Sequence, residues 1–359
     1  MGVMCVMEQT LPKMLRKVAA DYPEIPAQYS RKDDGNFKSV TFRELFDISL
    51  DFAAGLLDIG VKRGEPVGLI SDNREEWQQS DMGIMAIGAV DVPRGCDATL
   101  QDLEAILSIT ECKVCIAENP AQAKKILSLK EKLSHLKTII VFDELNGAIK
   151  EEAEACGVKI TCFSAVVKEG KKYRIEHKNL VEEELEKGNW DDLACIIFTS
   201  GTTGTPKGVE LTHGNFLTQL DELPERIILN PGDRAVCVLP IWHVFERACE
   251  YVIMIQAASI CYSKPIGSVL LADMAKLNPA LLPAVPRVFE AVYDGITRKL
   301  RKTGGIVYAL FRFFTAVAIT HSRMQRKMFN RNPCFTRYYT VGWWFLFLIP
   351  WCLLWPLKL

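Results

Sequence analysis

The chain has 359 residues, 49% hydrophobic and 24% charged, at a formal net charge of -1, which excludes a disordered protein and leaves room for two hydrophobic cores. The charge is uneven: residues 1–294 hold 32 Lys plus Arg against 44 Asp plus Glu, whereas residues 295–359 hold 11 basic residues and no acid. An acidic body argues against nucleic acid as a partner, and a basic, apolar tail suggests an anionic membrane surface.

Leu11 to Tyr22 reads as an amphipathic helix. Thr41 with Glu44 three residues on, before an apolar-periodic stretch, is an N-cap signal that starts a second helix running to about Ile59 and Gly60. Pro66 to Ile70 follows as a short buried strand. The alternation then repeats: helix Glu75–Ala89, strand Val90–Pro93, helix Leu100–Thr110, strand Lys113–Ala117, helix Ala121–Leu133, strand Thr138–Phe142. Such a pattern predicts an α/β fold of parallel sheets covered by helices. Residues 143–190 are more charged and less periodic, and are expected to form a surface linker, before a new strand at Ala194–Phe198.

Twelve cysteines are scattered from Cys5 to Cys352, many in apolar runs. They read as free, buried thiols of a reducing cytosol, and the Cys112/Cys115 pair, inside a strand-like segment with no second pair, reads as structural rather than metal-binding. Met1 to Gln9 has no basic segment followed by an apolar one, so a cytoplasmic location is expected for residues 1–300.

Residues 199–208 read Thr-Ser-Gly-Thr-Thr-Gly-Thr-Pro-Lys-Gly between a buried strand and the apolar Val209–Leu211. Gly201, Gly204 and Gly208 allow backbone N–H groups to converge on an anion. The hydroxyls of Thr199, Ser200, Thr202, Thr203 and Thr205 add donors, and Lys207 adds a compact charge. It is not a Walker loop, because Pro206 stands where that motif needs Gly.

The string resembles the phosphate loop of the acyl-adenylate-forming superfamily, which joins a carboxylate to AMP. The resemblance implies that Thr199, Ser200, Gly201, Thr202, Thr203 and Gly204 hold the β- and γ-phosphates of ATP, that Lys207 closes on them catalytically, and that Thr202 meets Mg2+. Leu239-Pro240-Ile241-Trp242-His243 resembles that family's second core motif and implies a catalytic role for His243. Val244–Tyr251, Ala284–Glu290 and Asn73–Trp77 are similar to the long-chain fatty-acid branch. The implied reaction activates a long-chain fatty acid to acyl-AMP and then to a thioester, with coenzyme A or acyl carrier protein as the acceptor.

The implied architecture is the large domain of adenylate-forming enzymes, truncated, with a hydrophobic C-terminal tail. Its expected parts are a first subdomain over 1–190, part of a second over 191–300, and a membrane-facing tail over 301–359. The family's later Gly-x-Thr-Glu motif, its ribose-binding Asp and its catalytic Lys have no counterpart before Leu359, so the chain alone is expected to be inactive. The alternative is a non-catalytic membrane-associated remnant. Tyr338–Leu357 is long enough to span a bilayer, but Pro350 and four tryptophans spread along it favour an interfacial or re-entrant segment.

Overall fold

The computed structural model describes residues 8–32, 34–199 and 206–328, and divides the chain into two compact units that meet in sequence at Val285 and Pro286. In the first unit, α1 (Leu11–Asp21) is capped by the Thr10 side chain, which accepts from the Lys13 amide at 3.3 Å. β1 (Pro26–Arg31) and β2 (Phe37–Thr41) form an antiparallel hairpin. The capping box at the start of α2 (Phe42–Ile59) is present: Thr41 Oγ1 accepts from the Glu44 amide at 3.2 Å, and Glu44 Oε2 accepts from the Thr41 amide at 2.8 Å.

The expected alternation follows with ends shifted by a few residues: β3 (Pro66–Ile70), α3 (Glu75–Ala86), β4 (Val90–Arg94), α4 (Leu100–Ile109), β5 (Val114–Ala117), α5 (Pro120–Leu127) and β6 (Thr138–Val141). Cys112 and Cys115 are buried there, and burial pushes the Cys112 thiol up to about 12.

The expected linker over 143–190 is corrected. It folds as α6 (Gly147–Ala155), β7 (Lys159–Cys162), α7 (Phe163–Glu176) and α8 (Leu180–Lys187). Phe163 and Val166 of α7 are buried in the core that includes α2 and the sheet, and Gly170 is buried against the α2 backbone. The many charges of this stretch lie on outer faces and mask a sparse apolar stripe, which is why periodicity did not register.

β8 (Leu193–Thr199) and β9 (Lys207–Thr212) close the larger sheet, whose strand order is β7-β6-β5-β3-β4-β8-β9. Every neighbouring pair is parallel except β8 with β9. One face is covered by α2, α3, α7 and α8, the other by α4, α5 and α6. Then come α9 (His213–Glu222), β10 (Arg234–Cys237), α10 (Val244–Ile255), β11 (Ser259–Tyr262) and α11 (Gly267–Leu277). β10 and β11 join β1 and β2 in a second sheet, ordered β10-β11-β1-β2. A core of α1, α3, α9 and α10 side chains lies against β8 and this second sheet.

The second unit holds α12 (Pro286–Thr303) and α13 (Gly305–Met328). α12 buries no residue. Within α13, Gly305–Arg326 is long and apolar enough to cross a membrane by length and composition. The expected tail segment Tyr338–Leu357 lies outside the described residues.

Candidate active site

The ten-residue Gly/Thr string joins the antiparallel strands β8 and β9: Thr199 ends β8, and Lys207 and Gly208 begin β9. Thr199 and Lys207 are cross-strand partners at its mouth, and both are exposed. Ser200, Gly201, Thr202, Thr203 and Gly204 lie outside the described residues. The hairpin opens at the carboxyl end of β8. That edge is shared with β4, which pairs in parallel with β8 through Asp91 and Cys195. Continuing this register brings Arg94, the last residue of β4, level with Phe198. β3 lies between β4 and β5, so the order in which successive strands are added reverses there while all three strands run parallel. Ligands of open α/β sheets bind outside the carboxyl ends of the strands at such a reversal.

The connection between β10 and α10, which carries Trp242 and His243, is fastened to this same edge. Asn73, just past β3, donates from Nδ2 to the Leu239 carbonyl at 2.7 Å and accepts at Oδ1 from the Ile241 amide at 3.0 Å. The guanidinium of Arg94 lies 4.5 Å from the Trp242 ring centroid, a cation–π contact. Gly95 is required beside it, because a Cβ there would stand 2.1 Å from the indole nitrogen of Trp242.

His243 is the N-cap of α10. Its Nδ1 accepts from the Phe245 amide at 3.3 Å, and the ring is exposed. A ring nitrogen that accepts is unprotonated in the neutral tautomer, so the proton sits on Nε2. The fold thus brings Thr199, Lys207 and the Trp242–His243 connection to one edge of the sheet.

Other donor groups at that edge are engaged locally. Asp72, Cys96 and Glu118, from the ends of β3, β4 and β5, place ligand atoms within 4.8 Å of one another. Asp72 Oδ1 accepts from the Cys96 amide at 3.2 Å, and Glu118 Oε2 accepts from the Asp72 amide at 2.8 Å and from Ser71 Oγ at 3.0 Å. These carboxylates tie the strand ends together. A cleft of about 420 Å3 beside Asn73 is lined among others by Ser30, Arg31, Lys38 and Asp273, and by none of Thr199, Lys207 or His243. Its walls are braced by Arg31 with Asp273 at 2.7 Å and Lys38 with Glu75, so it is a charged seam between the sheets.

Sequence reasoning missed the buried charges behind the site. Arg247 on α10 is fully buried and meets Asp81 of α3 and Asp91 of β4. Its Nη1 is 2.6 Å from Asp91 Oδ2, an ion contact without hydrogen-bond alignment. Arg247 Nε donates to Tyr251 Oη at 2.7 Å, and that hydroxyl donates to Asp81 Oδ2 at 2.6 Å. Burial opposes the charge on Arg247, but Asp81 and the groups around it outweigh this and keep the guanidinium protonated. Burial also pushes the Glu246 carboxyl up to about 8 and raises that of Glu250 well above the usual range. The signal for this network was a lone Asp91 inside the apolar run Val90–Val92, since a charge within a buried strand needs a partner.

The body is a mostly parallel α/β structure in which the Gly/Thr string joins β8 to β9 at the strand ends. The AMP-binding enzyme family matches residues 15–341, and the chain belongs to that family. It is 29% identical, over 98% of its length, to a chloroplastic long-chain-fatty-acid–[acyl-carrier-protein] ligase of Arabidopsis thaliana, covering 49% of that protein. It is likewise 29% identical, over 76% of its length, to human long-chain-fatty-acid–CoA ligase 1, covering 39% of it. The chain therefore spans about half the length of the curated relatives it matches or less.

Among solved structures, the adenylation domain of a carboxylate reductase from Mycobacterium chelonae superposes with a TM-score of 0.70 at 20% identity. That match covers 83% of this chain and 49% of the other. An AMP-bound didomain of carboxylic acid reductase from Segniliparus rugosus gives 0.69 at 21% identity, over 84% of this chain and 46% of the other. These likenesses establish the adenylate-forming fold.

Proposed function

We propose that this chain carries the ATP-binding edge of an enzyme that activates long-chain fatty acids. The observation that supports it most is the pairing of Thr199 with Lys207 at the mouth of a hairpin whose edge also holds the Asn73-clamped Trp242–His243 connection. In the proposed reaction a fatty carboxylate oxygen attacks the α-phosphorus of ATP, and the bond to pyrophosphate breaks. Lys207 offsets charge on the leaving pyrophosphate, and the hydroxyl of Thr199 and the turn residues Ser200, Gly201, Thr202, Thr203 and Gly204 orient it. The Nε2–H of His243 donates toward acyl or phosphate oxygens. Mg2+, a hard cation that takes oxygen ligands, is assigned to the hydroxyl of Thr202.

The relatives' names favour coenzyme A or acyl carrier protein as the thiol acceptor of the whole enzyme. α13, together with the acid-free stretch after Asp294, supports contact with an anionic membrane surface.

The test is Mg-ATP binding by the full chain, measured by titration calorimetry with Lys207→Met as the control. Saturable binding that weakens about tenfold or more in the variant is expected, since a lost charge-assisted contact costs about 1.5–3 kcal/mol. No binding by the parent chain, or equal binding by both, overturns the assignment.

A further inference from the structure

Behind the Trp242–His243 connection lies a group of side chains that the proposed reaction does not use. Cys237 is the last residue of β10, and Glu246 and Glu250 stand one turn apart on α10. All three are fully buried. Their sulfur and carboxylate oxygens lie within 4.8 Å of one another.

The charge count around them does not close within the protein. Four buried carboxyl groups, Asp81, Asp91, Glu246 and Glu250, surround a single buried guanidinium, and Asp81 and Asp91 already occupy it. Neither Glu246 nor Glu250 has a hydrogen-bond partner for either oxygen. The amides of Val238 and Leu239 and the thiol of Cys237 lie close enough to Glu246 to favour its charged form, though none is aligned as a hydrogen bond. Glu250 has no such neighbour, and its strongest electrostatic contacts are the like charges of Glu246 and Asp81. A carboxyl held in this way is costly in either form: ionised it lacks a counter-charge, and protonated it lacks an acceptor for its proton.

We infer that Cys237, Glu246 and Glu250 form a buried site for a divalent transition ion of the Zn2+ class. One divalent cation takes up the carboxylate oxygens and offsets two of the three negative charges of the Glu246 and Glu250 carboxylates and the Cys237 thiolate, whose proton leaves to solvent on binding. Donor atoms about 2.0–2.3 Å from Zn2+ stand roughly 3.5 Å apart on the edges of a tetrahedron, within the observed spread. The thiolate selects Zn2+ over Mg2+ or Ca2+, which prefer all-oxygen sites. The fourth position falls to a second oxygen of either carboxylate. Because Cys237 ends β10 and Glu246 lies in the first turn of α10, the ion joins the two ends of the 238–243 connection. The site stands whether or not that connection serves ATP, since metal content is measured without nucleotide.

The test is the metal content of the full, untagged chain purified from zinc-supplemented medium, followed by replacement with Co2+. We expect about one zinc per chain, a thiolate-to-cobalt charge-transfer band in the near ultraviolet, and a fall in the melting midpoint on adding a strong chelator. Cys237→Ser removes the band, and Cys156→Ser, a half-buried thiol outside the cluster, keeps it. Should Cys237→Ser fail to fold, Glu250→Gln serves: the site requires that it lose both the metal and the chelator response. Less than about a tenth of an equivalent of metal, a midpoint unmoved by chelator, or zinc retained by Glu250→Gln each overturns the site.

Discussion

Among the buried ionisable residues of the first unit, Arg247 acts through its charge and His213 through its lack of it. Arg247 joins α10, α3 and β4, so removing it would leave two aspartates without a cation in the core. His213, the first residue of α9, is 1% exposed, and its Nδ1 accepts from the Leu11 amide at 3.3 Å. Burial pushes its imidazole down to about 4. Asp192 opposes this, and Arg247, Arg63 and Lys13 reinforce it. The unfolded chain takes up this proton near 6.5 and the folded chain only near 4, so the unfolded state binds more protons in between. The resulting stability is present above pH 6.5 and is lost as pH falls toward 4, by on the order of 3 kcal/mol. Glu246, pushed up to about 8, acts in the opposite sense, so the check is a difference: in urea unfolding at a series of pH values, the stability of the parent relative to His213→Gln should fall as pH drops from 6.5 toward 4. Equal slopes would exclude His213 as the source.

Helices and turns with strong local chemistry were legible in advance. Thr41 with Glu44, and the alternation from Pro66 to Phe142, specify elements through contacts within a few residues, and those elements are present. The helix α7 was not legible, because what holds it is a contact with α2 that lies more than a hundred residues away in sequence. At that crossing a Cβ on Gly170 would stand 1.9 Å from the Asp51 carbonyl oxygen, and one on Gly55 would stand 2.5 Å from the Val166 carbonyl oxygen. The two backbones touch where neither helix carries a side chain. Gly170→Ala is therefore expected to destabilise the chain by about 3 kcal/mol, the upper range for overpacking. Gly147→Ala, at an open position in α6, should be neutral or stabilising by up to about 1 kcal/mol. Denaturant midpoints of the two variants check this, and similar midpoints would mean that the α2–α7 crossing relaxes freely.

For the whole chain, charge separates the body from the tail. Among the described residues of the second unit, α13 leaves Ile306, Val307, Leu310 and Phe313 about half or more exposed, and no acid follows Asp294. Each basic residue near an anionic bilayer contributes roughly 1 kcal/mol, an attraction that salt screens. The full chain should thus co-sediment with vesicles containing phosphatidylglycerol, less so at high salt, and the double variant Arg323→Glu and Arg326→Glu should bind measurably less. Equal binding to neutral vesicles would remove the electrostatic part of the membrane proposal.

The Gly/Thr string, the Leu239–His243 segment and the α/β alternation were all readable along the chain, because glycine, hydroxyl and cap chemistry act through neighbouring residues. Lys207 and Thr199 could be named from that string alone, but their cross-strand pairing is set by the β8–β9 register. That Asn73 clamps the Trp242 connection, that Arg94 stacks on Trp242, and that Glu250 is buried without a partner are products of packing. These contacts join segments as much as 168 residues apart. Nothing in local spacing encodes them, and only the closing of two sheets around α3 and α10 creates the low-dielectric interior in which an unpaired carboxylate becomes a chemical fact.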